Sequence, residues 1–315
     1  MHFLVTGGAG FLGSALANRL REDGHRVSVL DDLSNGERDR LHPDIAFTRG
    51  DIDNIPLLWS LLHDVDCVYH LAARVSVAQS ILHPRDYNRV NVGGAVSLME
   101  AMRDTGVRRV VFTSSGAVYG TQENLPVREI DPPHPDSPYA VSKWSAEQYI
   151  HTIGELWGLE TVALRIFNAY GPYQSLPISH APVIPRFLQQ ALTGGSIVLF
   201  GNGEQTRDFV FVDDVLEALV RSATAEAVNR GIINIGSGRE TAIRDLVGQI
   251  SQVTGRKINL ISNPSKPGGV PRLVADISRA HELLDFQPQI SLQDGLRLTL
   301  ERDPRFVPYI SPSPV

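Results

Sequence analysis

Three glycines near the amino terminus constrain this chain more than any other feature. His2–Thr6 is typical of a buried β-strand, and a helical spacing of apolar residues begins at Phe11. Between them, Gly7, Gly10 and Gly13 follow the pattern G-x-x-G-x-x-G. In such a unit the first glycine permits the tight turn, the second lets the backbone approach a pyrophosphate, and the third lets helix and strand pack closely.

The helix predicted over Phe11–Arg21 begins directly after this loop. Its first turn offers backbone N–H groups and a favourable dipole to an anion, which suits the pyrophosphate of a dinucleotide. A bare structural turn is the alternative, but the strand–turn–helix context favours binding. The cofactor contacts expected from this unit are Gly7, Gly10, Phe11, Leu12 and Gly13.

The second predicted strand, His25–Leu30, ends at an acidic pair, Asp31 and Asp32. An acid about 20 residues after the glycines accepts hydrogen bonds from the ribose hydroxyls of NAD and repels the 2′-phosphate of NADP. Residues 33–36 supply no arginine that would favour NADP. NAD is therefore the predicted cofactor. Asp31 is the preferred ribose ligand; Asp32 is the alternative ligand or a solvated turn residue.

Strand and helix patterns alternate through the first half of the chain, which predicts an α/β fold with a doubly wound parallel (Rossmann) sheet. The further strands are predicted at Ile45–Thr48, Asp66–Leu71, Arg109–Ser114 and Thr161–Ile166, and the further helices at Val92–Met102 and Tyr139–Leu156.

After residue 170 prolines become frequent, and the predicted helices and strands become shorter. Runs such as Ala181–Thr193 and Ile232–Gly236 predict a smaller C-terminal portion that binds substrate against the carboxyl edge of the sheet. We expect residues 1–170 to form the NAD-binding domain and residues 171–310 mainly the substrate portion, with its late segments free to rejoin the main sheet. Residues 311–315 are expected to form a frayed tail.

Composition excludes several classes of protein. The 29 basic and 35 acidic residues give a net charge of −6, which argues against a nucleic-acid or membrane-surface binder. The single cysteine, Cys67, excludes an internal disulfide and any multi-cysteine metal site. No apolar stretch approaches the roughly 18 residues of a transmembrane helix. We expect a cytoplasmic protein without a bound metal.

Tyr139 and Lys143 stand four residues apart in a predicted helix, so their side chains share one face. An ammonium group beside a phenol, together with a cationic nicotinamide, favours the phenolate. Ser115 follows a strand at the edge where open α/β sheets bind ligands, and Ser114 beside it is a further candidate for contacting substrate. We predict an acid–base centre of Ser115, Tyr139 and Lys143. Two ordinary helix residues are the alternative for Tyr139 and Lys143.

Seven segments, in their order along the chain, resemble the extended short-chain dehydrogenase/reductase family. They are most similar to its NAD-dependent sugar-nucleotide epimerases and dehydratases, notably the group of UDP-glucose 4-epimerase-like enzymes. The segments are GGAGFLG (7–13), Asp51-Ile52, HLAARVSV (70–77), SSGAVYG (114–120), YAVSK (139–143), RIFNAYGP (165–172) and RDFVFVDDV (207–215).

The resemblance implies further contacts with cofactor and substrate. Those implied around NAD are Asp51 and Ile52 at the adenine, Leu71, Ala72 and Ala73 along the cofactor, and Asn91 on nearby backbone. Those implied on the substrate are Asn168 and Arg207 at its diphosphate and Arg272 at a second phosphate or nucleotide contact. For each arginine, a surface salt bridge is the alternative.

The resemblance also implies an activity: 4-epimerisation of a nucleotide sugar through a transient 4-keto intermediate. In the similar 4,6-dehydratases an Asp-Glu pair follows the position of Ser115, but here Gly116 and Ala117 stand there and neither transfers a proton. A net NAD-dependent oxidoreductase, a dehydratase and an inactive NAD-binding scaffold or sensor are the alternatives. The sugar and the nucleotide base stay open, with a UDP-hexose, N-acetylhexosamine or hexuronate expected.

Two further expectations follow from the resemblance. Leu273 stands where similar 4-epimerases gate the sugar pocket, and its small side chain predicts room for a substituted hexose, unless it merely packs against the sheet. The helices Val92–Met102 and Tyr139–Leu156 carry apolar residues on several faces, including Met99, Trp144 and Tyr149. A homodimer is expected through these helices; the alternative is that these residues are all internal core.

Overall fold

A computed structural model describes residues 1–177, 181–263 and 269–310, so the predicted tail at 311–315 lies outside the described residues. The strands are β1 (His2–Thr6), β2 (Arg26–Asp31), β3 (Ala46–Arg49), β4 (Cys67–His70), β5 (Arg109–Ser115), β6 (Glu160–Ile166), β7 (Asn168–Tyr170), β8 (Ile197–Phe200), β9 (Thr206–Arg207), β10 (Phe209–Phe211), β11 (Gly231–Ile235), β12 (Thr241–Ala242) and β13 (Leu260–Asn263).

Helices connect most of these strands. They are α1 (Phe11–Glu22), α2 (Ile55–Leu61), α3 (Val77–Leu82), α4 (Pro84–Tyr87), α5 (Gly94–Thr105), α6 (Pro138–Trp157), α7 (Val183–Leu192), α8 (Val212–Thr224), α9 (Ile243–Thr254), α10 (Ser278–Leu284), α11 (Leu292–Arg302) and α12 (Val307–Ile310). Short 3₁₀ turns occupy Arg38–Arg40, Gly116–Tyr119 and Glu226–Val228, and Asn88–Gly93 is π-helical.

Seven parallel strands form the central sheet, in the order β11–β6–β5–β4–β1–β2–β3. The doubly wound α/β prediction is therefore confirmed. The inner strands of this sheet are buried on both faces because helices cover both sides, whereas the edge strand β3 is partly exposed. Phe3 and Val5 of β1 join one core cluster while Leu4 joins the other, as the alternation of side chains along a strand requires.

The C-terminal portion returns one strand to this sheet. β11 pairs in parallel with β6, with Ile233 opposite Leu164, and α8 packs against α1. The remaining late strands form three two-stranded sheets, β7 with β10, β8 with β13, and β9 with β12. These small sheets follow the end of β6, and β7 and β9 carry Asn168 and Arg207, two of the residues predicted to bind substrate.

One predicted helix is longer than its sequence pattern indicated. The pattern predicted Val92–Met102, whereas helical backbone runs from Pro84 through the π-helical turn into α5. Residues 84–91 (PRDYNRVN) are mostly polar, so the apolar pattern begins only at Val92. Gly94 is required there because a Cβ would lie 2.5 Å from the Ile52 side chain. Among the described residues, no helix is long and apolar enough to cross a membrane.

Candidate active site

The glycine loop joins β1 to α1, and its backbone packs closely against neighbouring backbone. Gly7 has a φ of +68°, and a Cβ on it would lie 2.6 Å from the backbone nitrogen of Ala72. A Cβ on Gly13 would lie 2.1 Å from the Gly7 carbonyl oxygen. No side chain caps the start of α1, so its first N–H groups are available to an anion. The loop therefore has the cradle and the donors that the NAD pyrophosphate requires.

A cavity of about 670 Å³ extends from this loop across the carboxyl ends of the parallel strands. This volume lies within the range of cofactor and ligand sites. The predicted residues that line it are Gly7, Gly10, Phe11, Leu12, Gly13, Asp31, Asp32, Asp51, Ile52, Leu71, Ala72, Ala73, Ser114, Ser115, Tyr139, Lys143, Asn168, Arg207 and Leu273.

In the acidic pair at the end of β2, the Asp31 carboxylate is buried and the Asp32 carboxylate is exposed. The buried Asp31 accepts hydrogen bonds from the N–H groups of Ala9 (2.9 Å) and Leu33 (2.8 Å), and thereby ties the glycine loop to β2. Burial raises the pKa of Asp31, and these two bonds oppose that rise. The exposed Asp32 accepts a bond from the Ser34 N–H. Each Asp31 oxygen keeps a lone pair for a ribose hydroxyl.

Of three further residues predicted around NAD, Asp51 and Ile52 line this cavity and Asn91 lies behind it. Asp51 pairs with Arg89 at 2.9 Å, and Ile52 packs against α5. Asn91 does not line the cavity. Its side chain accepts a bond from the Arg74 N–H (2.8 Å) and donates to the Arg74 carbonyl (3.0 Å), so it holds the backbone that follows Leu71–Ala73.

The predicted acid–base residues meet at the junction of β5 and α6. The Ser137 side chain caps α6, which sets Tyr139 in its first turn and Lys143 one turn later. The Tyr139 hydroxyl lies near the Ser115 side chain at the end of β5, close enough for Ser115 to affect the pKa of the phenol. Lys143 is buried, with its Nζ 4.3 Å from the centroid of the Phe112 ring. The three side chains thus form one group on the cavity wall.

Burial acts in opposite directions on the two titratable groups of this centre. It lowers the pKa of Lys143 to about 7, and the negative charge of Glu147 opposes this effect. It raises the pKa of Tyr139, and the nearby Ser115 side chain opposes that rise. Both shifts follow from the cost of a charge in a site shielded from water. Perturbed pKa values of this kind are typical of functional sites.

The other end of the cavity carries Asn168 and Arg207. The Arg207 guanidinium donates to the carbonyls of Thr206 (2.6 Å) and Val270 (2.7 Å), which aligns it along the cavity wall. Burial lowers the pKa of Arg207, and Asp136 opposes this effect. A second cavity of about 290 Å³ adjoins here and shares Asn168 and Arg207 with the first.

Two of the residues predicted to bind substrate are directed elsewhere. Ser114 borders the cavity, but its hydroxyl donates to the Glu147 carboxylate (2.7 Å), because adjacent residues of a strand face opposite sides of the sheet. Arg272 lies outside the cavity, where its exposed guanidinium pairs with Glu240 (Nε to Oε1, 2.9 Å). Leu273 does line the cavity and is buried against a cluster that includes Phe167.

Sequence reasoning missed three charged residues at or behind this site. Arg40 lines the cavity, with its guanidinium 5.8 Å from the Tyr173 ring centroid. It lies four residues beyond the segment 33–36 after β2, which carries no arginine. Glu147 and Arg165 form a buried pair behind the acid–base residues. A charged residue four positions after Lys143, on the buried face of an apolar helix, was the available signal.

Comparison with known proteins identifies the family. The model of the NAD dependent epimerase/dehydratase family matches residues 3–236. The chain belongs to this family. It is therefore an NAD-dependent enzyme, as the sequence predicted, and the glycine loop and acidic pair are suited to that cofactor.

Similar proteins cover nearly the whole chain. A UDP-glucose 4-epimerase of Mycolicibacterium smegmatis is 41% identical over 96% of this chain and 98% of its own length. The structure of a Thermotoga maritima UDP-glucose 4-epimerase with UDP-glucose has a TM-score of 0.91 at 36% identity, covering 96% of this chain and 98% of that one. A Methanobrevibacter ruminantium UDP-N-acetylglucosamine 4-epimerase, in complex with UDP-N-acetylmuramic acid, scores 0.90 at 36% identity, covering 95% and 97%.

Gly13→Ala should reduce the amount of NAD that purifies with this epimerase-family enzyme. The added methyl group cannot fit against the Gly7 carbonyl, so the loop must shift away from the pyrophosphate. NAD released by heat denaturation, measured per protein chain, gives the result. Gly248→Ala is the matched control, because a Cβ at Gly248 meets nothing within 4 Å. Equal NAD content in the two variants would contradict the role of the loop.

Proposed function

We propose that this enzyme is a 4-epimerase of nucleotide sugars that works through a transient 4-keto sugar. The observation that carries the proposal is the group formed by Ser115, Tyr139 and Lys143 on the same cavity wall as the glycine loop. The activities of the three similar proteins support it, since all three are epimerases of UDP-sugars. An inactive scaffold would have no need of this acid–base group.

Bound NAD supplies the redox chemistry, accepting and returning a hydride at C4 of the sugar. Ser115 holds the C4 oxygen beside Tyr139, and Tyr139 as phenolate removes the proton from the 4-hydroxyl. Lys143 stabilises the phenolate by its positive charge. After the sugar has turned, Tyr139 returns the proton to the same oxygen. The proton is therefore conserved, and there is no net oxidation.

The diphosphate of the substrate is proposed to bind Asn168 and Arg207. A guanidinium suits a diphosphate because its planar donors bind phosphate oxygens in pairs. The adjoining cavity is proposed to take the nucleotide base, with UDP favoured because the similar epimerases use UDP-sugars. Holding the diphosphate while the sugar is free lets either face of the keto sugar turn towards the cofactor.

Dehydration is the less favoured activity on physical grounds. Elimination of water across C5 and C6 needs an acid and a base next to Ser115, whereas this chain has Gly116 and Ala117. A Cβ at Gly116 would lie 3.1 Å from the Phe167 ring, so a larger side chain there would have to displace that ring. A net oxidoreductase would have to exchange NAD at each turnover, whereas an epimerase keeps it.

Tyr139→Phe should lower kcat by about 10²–10⁴-fold, because it removes the proton-transfer group. NAD content should stay normal, because the ring is retained. Conversion is measured by NMR as inversion at C4 for UDP-glucose, UDP-N-acetylglucosamine and UDP-glucuronate, without added cofactor. Tyr149→Phe on the same helix is the matched control, because Tyr149 is 49% exposed and lies outside the cavity. Near-normal turnover by Tyr139→Phe would refute the assignment.

Leu273→Tyr should narrow the range of substrates. We propose that Leu273 leaves room for a substituted hexose, since an overpacked contact costs about 1–3 kcal/mol while spare room costs little. The variant is expected to lose kcat/KM for UDP-N-acetylglucosamine and UDP-glucuronate relative to UDP-glucose. Leu273→Met, of similar volume, serves as the control. If the tyrosine variant keeps the wild-type ratios among the three sugars, Leu273 does not limit the pocket.

A homodimer through α6 is also proposed. Exposed apolar side chains run along it at Val141, Tyr149 and Leu156, and the neighbouring α3 adds Val77 and Ile81. Exposed apolar patches of this kind are typical of interfaces between proteins.

The other two residues expected at the interface are less exposed. Met99 is fully buried in the core of its own chain, and Trp144 packs partly against another internal cluster.

Tyr149→Glu should convert the dimer into a monomer, because it places a charge in an apolar interface. Light scattering at micromolar concentration measures the mass, and Tyr149→Phe, which keeps the ring, should remain dimeric. A wild-type chain that is already monomeric at this concentration would show that α6 is a free surface.

A further inference from the structure

A buried ion pair lies directly behind the acid–base residues. Glu147 has no exposed surface, and Arg165 is 2% exposed. The Arg165 guanidinium donates to both Glu147 oxygens, from Nη2 (2.6 Å) and Nε (3.1 Å). The Ser114 hydroxyl donates to the same carboxylate (2.7 Å). Buried pairs like this are weak evidence for stability, because desolvation of the two charges offsets their attraction. The pair therefore calls for another explanation.

Two members of this cluster belong to the elements that carry the reacting residues, and the third, Arg165, lies on the adjacent strand β6. Glu147 is on α6, one turn after Lys143 and on the same helix face. Ser114 precedes Ser115 on β5, and it pairs with Arg165 across the sheet. The carboxylate is therefore fixed in place by side chains of two strands, at a position one helical turn after Lys143.

We propose that Glu147 is a positioning residue for catalysis: its carboxylate, held by Arg165 and Ser114, keeps the buried side chain of Lys143 a cation. The inference rests on the proposed roles of Tyr139 and Lys143 in proton transfer. Lys143 stabilises a phenolate only while it carries a positive charge, and its burial opposes that charge. A fixed negative charge one turn away counteracts the burial without taking part in the reaction.

Among the described residues, three titratable groups on the elements around Lys143 are neutral near pH 7. On β4, burial and the positive charge of Lys143 lower the pKa of His70 to about 3. On α4, burial raises the pKa of Tyr87, whose ring lies 6.4 Å from that of Tyr139. After β5, burial raises the pKa of Tyr119 to about 12. The charges behind Lys143 are therefore those of Glu147 and of Arg165, which lies against the Tyr119 ring at 4.7 Å.

The chain offers a direct measurement of the charge on Lys143. It contains three lysines, Lys143, Lys257 and Lys266. Lysine labelled with ¹³C at Cε gives one NMR signal for each, and Lys257→Arg and Lys266→Arg identify the other two. The titration midpoint of Lys143 is then followed in the NAD-bound enzyme. This readout does not depend on turnover.

Glu147→Gln should lower the midpoint of Lys143 by about one pH unit, because it removes the attraction and leaves the charge of Arg165. The alkaline limb of the kcat/KM profile should move to lower pH by the same amount. Tyr119→Phe is the matched control. It removes a buried hydroxyl that donates to Asn234 (2.7 Å) but leaves both charges in place, so the midpoint should not move.

A midpoint that is unchanged in Glu147→Gln, or that moves equally in Tyr119→Phe, would overturn the proposal and leave the pair a structural one. If Glu147→Gln does not fold, Glu147→Gln/Arg165→Met removes both charges, and its midpoint should still fall, though by less. An unchanged midpoint there also overturns the proposal. A wild-type enzyme inactive on every nucleotide sugar would refute the proposed function alone, because the NMR titration would still decide the role of Glu147.

Discussion

The close approach of Gly13 to Gly7 is the contact on which the rest of the site depends. Because a Cβ at position 13 would lie 2.1 Å from the Gly7 carbonyl oxygen, glycine is needed for α1 to begin this near to the end of β1. The approach aims the first N–H groups of α1 across the carboxyl edge of the sheet. The parallel strands end at that edge, so the glycine loop shares one cavity with Asp31, the last residue of β2, and Ser115, the last residue of β5. The close approach of Gly13 to Gly7 thus places the start of α1 at the edge of the sheet along which the cavity lies.

The central sheet was predictable because burial on both faces leaves a strong local signal. β1 has the predicted bounds, and β6 begins at Glu160, one residue before the prediction. The position of β11 was not predictable in the same way. Its apolar run was visible, but its place beside β6 depends on pairing residues far apart in the chain. The π-helical turn at Asn88–Gly93 was missed because the residues before Val92 are mostly polar and carry no helical apolar spacing.

In the candidate site, too, the residues that local spacing defines were predictable, and those whose partners lie on other elements were not. The glycine loop and the pair of Tyr139 and Lys143 follow from spacing within one element, and the structure brings them to one cavity. The orientation of Ser114 depends on which face of β5 meets the buried Glu147. Arg272 is drawn to Glu240, a partner whose proximity no local pattern reveals. Side chains whose neighbours come from another element are therefore the ones that sequence reasoning misplaces.

The proposed binding of two diphosphates by an acidic chain depends on where its charged side chains lie. The net charge is −6, and the cavity lining carries both signs. Its cations are Arg40, Arg74, Lys143 and Arg207, and its carboxylates are Asp31, Asp32, Asp51 and Asp136. Burial lowers the pKa of both Lys143 and Arg207, which means that keeping these cations in the empty cavity costs free energy. An anionic ligand removes part of that cost when it binds, because it supplies the opposite charge in a medium of low dielectric. On the proposed role of Arg207, part of this cost is recovered as affinity for the diphosphate of the substrate.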